Sequence, residues 1–193
     1  MKKLLGKRIG FAVTGSFCTF EPAFKSAEAL VSAGAELIPI FSEHAASFDT
    51  RFGKAADHIR RMEEISGRKA ILSIADAEPL GPKDLLDCIA VCPCTSNTMS
   101  KLVYGVVDTT VTMAVKSMLR NSKPIVLAIA TNDALRCSGK NIGFLMNTRN
   151  YYFVPFRQDA PDKKPASMVA LFEKLPDTII SAFDGNQIQP LII

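Results

Sequence analysis

The chain has 193 residues, of which 48% are hydrophobic and 22% charged, and its net charge is +4. This length and composition predict a single globular domain over residues 1–193 with a sizeable core. The positive charge is scattered in short basic pairs, which argues against nucleic-acid binding and only weakly favours an anionic ligand. No apolar run is long enough to cross a bilayer, so we expect no membrane segment.

Apolar, β-branched-rich runs of strand length recur along the chain, and such near-continuous runs are typical of strands covered on both faces. The first follows basic residues, as in a signal peptide, but no small-residue cleavage site comes after it, so a strand is the simpler interpretation. The predicted strands are Arg8–Val13, Glu36–Phe41 and residues 88–92, 125–130 and 152–155.

Stretches with helical spacing lie between and after these strands, at residues 22–33, 53–66, 98–107, 109–120 and 167–175. Strand alternating with helix predicts a three-layer, Rossmann-like (flavodoxin-like) α/β fold, a parallel sheet with helices on both faces. The charged, proline-bearing segment 158–165 is predicted to be a surface loop or disordered. Residues 185–193 are predicted to form an extended tail whose apolar end, from Leu191 onward, needs cover.

The five cysteines are odd in number, which suits a reducing cytoplasm. Cys92 and Cys94 flank Pro93 and suggest a metal site, but no second ligand pair follows at zinc-like spacing. We therefore predict small, buried, apolar cysteines and no metal.

Small polar residues follow three of the predicted strands. Gly15 and Ser16 come after the first strand, Ser42 after the second, and the segment 95–98 after the third. In open parallel sheets the ligand crevice lies beyond the carboxyl ends of the strands, where hydroxyls, free amides and helix N-termini can hold a phosphate. Each Ser or Thr alone would more often be a helix N-cap. Neither a dinucleotide fingerprint nor a Walker loop is present, which leaves a phosphate with a smaller planar attachment.

The segment PCTSNTMSKLVYGVVDTT, residues 93–110, resembles the P-A-S-A-N-T-x-x-K-x-x-x-G-x-x-D motif of a flavoprotein family. This family includes homo-oligomeric flavin-containing cysteine decarboxylases, phosphopantothenoylcysteine decarboxylases and flavin prenyltransferases. The matching residues are Pro93, Asn97, Thr98, Lys101, Gly105 and Asp108. The resemblance implies that FMN is bound by Gly15, Ser16, Ser42, Pro93, Thr95, Ser96, Asn97 and Thr98. It also implies a substrate contact at Asn132, which lies where the family has the asparagine of its P-x-M-N motif, although the proline and methionine of that motif are missing here.

The sequence departs from the family where catalysis is concerned. Pro79 stands where the cysteine decarboxylases carry their catalytic histidine, and Cys137 lies in a different setting from their substrate-clamp cysteine. Proline cannot move a proton, so cysteinyl decarboxylation is disfavoured and the catalytic residues stay unassigned. His58, on a predicted helix, is interpreted as facing solvent rather than as a relocated base.

Within the family, the strongest resemblance implies an oxidoreductase subunit in the mother-cell cytoplasm of a sporulating bacterium. It would oxidise dihydrodipicolinate to dipicolinate together with a nucleotide-binding A subunit that carries NADP. The candidate cationic contacts for this small dicarboxylate are Lys101, Lys140, Arg136 and Arg149, each also interpretable as an ordinary surface charge. The alternatives are an FMN-dependent decarboxylase or prenyltransferase, or a non-catalytic flavin-binding scaffold.

The resemblance also implies a homo-oligomer, a trimer or a multiple of it. The predicted helix over residues 109–120, rich in valine and methionine, is either the contact between copies or a core helix. The apolar tail and residues 141–152 are the candidate surfaces for docking the A subunit.

Overall fold

The computed structural model describes residues 2–193, which form a seven-stranded, mostly parallel sheet with helices on both faces. The strands are β1 (Arg8–Val13), β2 (Glu36–Phe41), β3 (Cys88–Cys94), β4 (Ile125–Thr131), β5 (Tyr151–Phe153), β6 (Phe156–Gln158) and β7 (Met168–Ala170). The helices are α1 (Phe20–Ser32), α2 (Glu43–Ser47), α3 (Ala55–Ser66), α4 (Ile74–Ala77), α5 (Ser96–Tyr104), α6 (Thr110–Arg120), α7 (Gly139–Met146) and α8 (Leu175–Phe183). The predicted fold class is confirmed. That residues 1–193 form a single domain stays a prediction.

The strand order is β2-β1-β3-β4-β7-β6, with β5 also paired to β4. The pairs among β1 to β5 are all parallel, and every residue of β3 is buried. A parallel sheet exposes neither face, which is why these strands appear in the sequence as nearly unbroken apolar runs. The carboxyl ends of β1, β2, β3 and β4 therefore meet at one edge of the sheet.

Two apolar clusters pack on the two faces of the sheet. One contains Phe24 and Leu30 of α1 with Ile179 of α8, and the other contains Val115 and Met118 of α6. All five side chains are fully buried. Helix α6 is thus a core helix at its buried residues, and the predicted contact between copies is left to its margin, such as the exposed Leu119. Within residues 2–193, no helix combines the length and apolar character that spanning a bilayer requires.

The region beyond β5 differs from the prediction. Residues 167–175 were expected to be helical, but they contain β7 and a short 3-10 helix, and α8 begins only at Leu175. Strand β7 pairs antiparallel with the end of β4, at Ala130 and Thr131, and with β6 on its other side. Pairing with a distant strand outweighs the local helical spacing. Residues 159–167 form the connecting loop of this β6–β7 hairpin.

Each outer strand of the sheet is hydrogen-bonded on its free side by a short piece of non-strand chain. Ile71 bonds to β2 through its backbone N–H and C=O, at 2.8 and 3.0 Å. The side-chain amide of Gln187 pairs with both backbone groups of Phe153 in β5, at 2.7 and 2.8 Å. Leu191 and Ile193 bond to Phe156 of β6, so the predicted tail is a docked segment, although Ile193 remains 57% exposed.

Candidate functional site

The carboxyl ends of the central strands line two adjoining clefts that share Gly15 and Thr95. The first cleft, of about 500 Å³, lies between the ends of β1, β3 and β4 and the β6–β7 hairpin. The second, of about 370 Å³, lies between the ends of β1, β2 and β3 and the start of α6. The sequence-predicted residues are divided between them: Ser16, Ser96 and Asn132 line the first, and Ser42, Asn97, Thr98 and Lys101 line the second. The structure therefore brings these residues together, and their role as ligands stays a prediction.

Thr95 and Thr14 form the polar partition at the junction of the clefts. The Thr14 hydroxyl donates to the carbonyl of Pro93 at 2.7 Å and accepts from the backbone N–H of Thr95 at 3.1 Å. The Thr95 hydroxyl in turn accepts from the backbone N–H of Thr98 at 3.3 Å and so caps helix α5. Pro93 is buried and lines neither cleft, so its part is to hold Thr14 and the strand end in place.

The N-terminus of α5 faces the clefts with unused hydrogen-bonding groups. Ser96 and Asn97 occupy the first two helical positions, and their backbone N–H groups have no partner within residues 2–193. The Asn97 side chain is exposed and likewise makes no hydrogen bond to any described residue. Free amides at a helix N-terminus carry a partial positive charge, which makes this end of the helix suited to an anion or to polar ring atoms.

Gly15 leaves space at the point where the clefts join. A Cβ built on Gly15 would meet its nearest atoms, in Phe17 and His44, at 3.7 and 3.9 Å, which are ordinary van der Waals distances. The chain's own packing therefore does not require glycine here. A group that must approach the backbone closely would require it.

Ser42 performs the function of a helix cap. Its hydroxyl accepts from the backbone N–H of Ala45 at 3.4 Å, and the side chain is largely buried at the start of α2. The neighbouring Glu43 is also occupied, because its carboxylate accepts from the backbone N–H and the hydroxyl of Thr110 at 2.9 and 3.0 Å. Because the Ser42 hydroxyl only accepts in this bond, its proton and its second lone pair remain for a ligand.

Lys101 and Asp108 explain the spacing of the second half of the motif. Helix α5 is capped at its C-terminus by Gly105, whose φ of +67° places it in the left-handed region that favours glycine. The chain turns back there, and the Lys101 ammonium reaches the Asp108 carboxylate at 2.7 Å. Lys101 borders the second cleft with its charge already paired. The other three candidate carboxylate contacts are exposed and line neither cleft: Lys140, Arg136 and Arg149.

The first cleft contains residues that the sequence interpretation missed. Asp159, Lys164 and Ser167 come from the hairpin loop, and Phe52 comes from the loop before α3. Residues 158–165 have the composition of a surface loop, and only the antiparallel pairing of β7 with β4 carries them back over the strand ends. No local sequence signal contains that pairing.

Two further positions differ in their environment from the expectation. His58 does not face solvent: its Nε2 is buried without a hydrogen-bond partner among the described residues, and its ring packs edge-on against Phe20 at 4.8 Å. Burial lowers the pKa of His58, which keeps the ring neutral. Pro79 lies in the 3-10 helix Glu78–Leu80 and lines neither cleft.

The cysteines in and near β3 are buried as predicted. Cys88, Cys92 and Cys94 are fully inaccessible, and Cys18 and Cys137 are exposed. Burial raises the pKa of Cys92 to about 12, although a hydrogen bond to Ser26 acts in the opposite direction. These three thiols are neutral core side chains.

This fold, with small polar residues at the strand ends and the motif on α5, matches the family model "Flavoprotein" over residues 1–183, and the chain belongs to that family. It is 49% identical, over 100% of its length and 96% of the relative's, to the B subunit of dipicolinate synthase from Bacillus subtilis (strain 168). Among solved structures it is similar to the dipicolinate synthase B subunit of Bacillus halodurans C, with 43% identity, a TM-score of 0.90, and coverage of 98% of this chain and 97% of that one.

A more distant structure shares the fold alone. Burkholderia xenovorans DmrB in complex with FMN, described as a cubic protein cage for redox transfer, has 19% identity and a TM-score of 0.62. The match covers 83% of this chain and 92% of that one.

Proposed function

We propose that this chain is the flavin-binding subunit of a dipicolinate synthase and that it holds FMN in the two adjoining clefts. The observation that carries the proposal is the convergence of small polar residues from three strand ends on two clefts that share Gly15 and Thr95. The full-length similarity to the B subunit of dipicolinate synthase supports the assignment of the reaction, and the FMN complex of a protein with the same fold supports the cofactor.

The residues at the clefts have the chemistry that FMN needs. The free amides of Ser96 and Asn97, with the Ser16 hydroxyl, supply donors, and Gly15 leaves room for close approach to the backbone. A buried flavin atom without a partner would cost about 1–3 kcal/mol, so donors that the protein leaves unused are informative. When bound, FMN would supply an acceptor for two electrons.

The proposed reaction needs an acceptor for two electrons, and a nucleotide held on a partner subunit is one direct solution. Dihydrodipicolinate becomes the aromatic diacid by losing two electrons and two hydrogens, of which one leaves as a hydride equivalent and the other as a proton. We propose that NADP⁺ on an A subunit takes the hydride and becomes NADPH, and that the proton goes to solvent. The chain itself carries no dinucleotide fingerprint after any strand. Both subunits would act in the mother-cell cytoplasm.

We further propose that the chain forms a trimer or a multiple of it, as the family resemblance implies. Exposed aromatic side chains are available for such a contact. Tyr104 on α5 and Phe144 on α7 are 68% and 55% exposed. Light scattering of the purified chain at micromolar concentration should give a mass at a multiple of three chains. A monomer throughout that range would contradict the proposal.

The alternatives differ in what the site must contain. A cysteine decarboxylase of this family would need its catalytic histidine, and Pro79 at that position lies outside both clefts. A prenyltransferase or an empty scaffold is distinguished by flavin content and substrate. The visible spectrum of the purified protein gives the first answer: flavin absorbance, with FMN released on denaturation, excludes the empty scaffold.

The decisive experiment follows ultraviolet absorbance of dipicolinate with the isolated chain, the isolated A subunit and the mixture, each with FMN and NADP⁺. We expect turnover only in the mixture. Full turnover by either protein alone would overturn the two-subunit proposal, and an inactive mixture would overturn the substrate assignment.

A further inference from the structure

The β6–β7 hairpin loop supplies all the charge of the first cleft. Among the described residues that line this cleft, Asp159 and Lys164 are the only charged ones, and both belong to that loop. Their side chains bond to each other at 2.8 Å, with the Lys164 side chain 55% exposed and that of Asp159 40% exposed. The rest of the lining is hydroxyl, amide, small or apolar. Lys164 is therefore the one cationic side chain among the described lining residues that could bind an anionic ligand group in this cleft.

Backbone hydrogen bonds hold Lys164 at the cleft. Its N–H donates to the carbonyl of Ala160 at 2.8 Å, and its own carbonyl accepts from Ser167 at 3.0 Å. The Ser167 hydroxyl donates to the carbonyl of Thr131 at the end of β4, at 3.2 Å. The loop is thus tied to the strand end that precedes Asn132, and Lys164 borders the same cleft as Asn132.

The pairing of Lys164 with Asp159 is exchangeable. Exposed lysine–carboxylate pairs contribute little to stability, because water competes and two long side chains must be ordered. The bond to Asp159 raises the pKa of Lys164, so the amine is an ammonium at neutral pH. An ammonium has three donors, so a carboxylate entering from the cleft can share it with Asp159 or replace Asp159.

We propose that Lys164 is a specificity-determining residue that binds a carboxylate of the planar diacid, and that Asp159 occupies its ammonium when the diacid is absent. This inference rests on the proposed function, because that function supplies a dianionic substrate. Lys164 was not among the cationic contacts expected from the sequence. It differs from Lys101 in lining the first cleft, where Asn132 also lies, and in the exposure of its own side chain, 55% against 22% for Lys101.

The test is calorimetric titration of the purified full chain, with FMN present, using pyridine-2,6-dicarboxylate and pyridine-2-carboxylate as probes. Lys164→Gln should weaken binding of the diacid roughly three- to tenfold, between the effects of an exposed ion pair and of a charge-assisted hydrogen bond. It should affect the monoacid less. Asp159→Asn should strengthen binding of the diacid, because it removes the internal competitor. Lys164→Arg should keep most of the affinity.

Lys163→Gln is the matched control, since Lys163 is the neighbouring exposed lysine and lines neither cleft. It removes the same charge from the protein and should leave diacid affinity unchanged. Raising the salt concentration should weaken diacid binding more in the wild type than in Lys164→Gln, because screening acts on the charge pair.

Three outcomes would overturn the inference. If the wild type binds the diacid and Lys164→Gln binds it equally well, Lys164 has no such role and the proposed function is untouched. If Asp159→Asn weakens binding as Lys164→Gln does, the pair only braces the loop. If the wild type does not bind the diacid at all, the proposed function fails, and the inference fails with it.

Discussion

Replacing Asn97 by Asp changes one charge at the N-terminus of α5 and alters no hydrogen bond within the described chain. The Asn97 side chain is exposed and unbonded, at the second position of the helix. A carboxylate there interacts favourably with the helix dipole, which should raise the free energy of unfolding of the flavin-free protein by about 0.3–1 kcal/mol. The same carboxylate can no longer donate to a flavin atom, and it repels a phosphate.

The substitution should raise the stability of the flavin-free protein and weaken FMN binding, and these two effects can be measured separately. A flavin acceptor left without its donor costs about 1–3 kcal/mol, which corresponds to roughly five- to 150-fold weaker FMN binding. Because Asn97 has no intrachain partner to lose, none of this penalty should appear in the stability of the flavin-free protein. We therefore expect a protein that is equally or more stable and binds FMN at least about fivefold more weakly.

FMN affinity is measured by quenching of flavin fluorescence, and stability by urea unfolding of the flavin-free protein. Ala56→Asp is the matched control: Ala56 is exposed at the second position of α3 and lines neither cleft. It adds the same charge at the N-terminus of another helix and should leave FMN affinity unchanged. Unchanged FMN affinity in folded Asn97→Asp protein would refute the assignment of this helix end to the flavin.

Further predictions concern the fold. Burial raises the pKa of Asp87, but the hydrogen bonds from Arg8 outweigh it and hold the pKa below its usual value. The pair therefore stabilises the fold above the unfolded pKa, and this contribution is lost as pH falls through the folded pKa. Asp87→Asn should lower the free energy of unfolding by about 0.5–1 kcal/mol at pH 7, with a smaller difference at pH 3; an equal difference at both pH values would contradict this. Met118→Ala, in the core, should cost about 2–5 kcal/mol in urea unfolding, against less than about 1 for the exposed Leu119→Ala. Equal costs would contradict the assignment of α6 to the core.

The parallel core was predictable because its strands bury both faces. The bounds of β1 and β2 agree with the prediction, and β3 and β4 extend slightly further. A short, unbroken apolar run of this kind is typical of a strand in the middle of a parallel sheet. The β6–β7 hairpin was not predictable, because each strand has three residues and is stabilised by pairing with the end of β4. Short strands of this kind have no periodicity of their own.

The same division applies to the candidate site. Ser16, Ser42 and Asn97 could be placed together from the sequence, because chain topology brings parallel strand ends to one edge. Lys164 and Asp159 could not, since their position depends on the hairpin. The environment of His58 also escaped prediction, because the helical spacing of α3 does not show that Phe20 of α1 covers the ring.

The hydrogen bonds along the outer strands limit how another chain could approach the edges of the sheet. An open strand edge can recruit another chain by extending the sheet, with little regard for sequence. Here the outward-facing backbone groups are already bonded on each outer strand: on β2 by Ile71, on β5 by the Gln187 amide, and on β6 by the segment from Leu191. Extension of the sheet by another chain is thereby obstructed at these positions, and a contact between copies is left to helices and loops, where side-chain shape decides the partner.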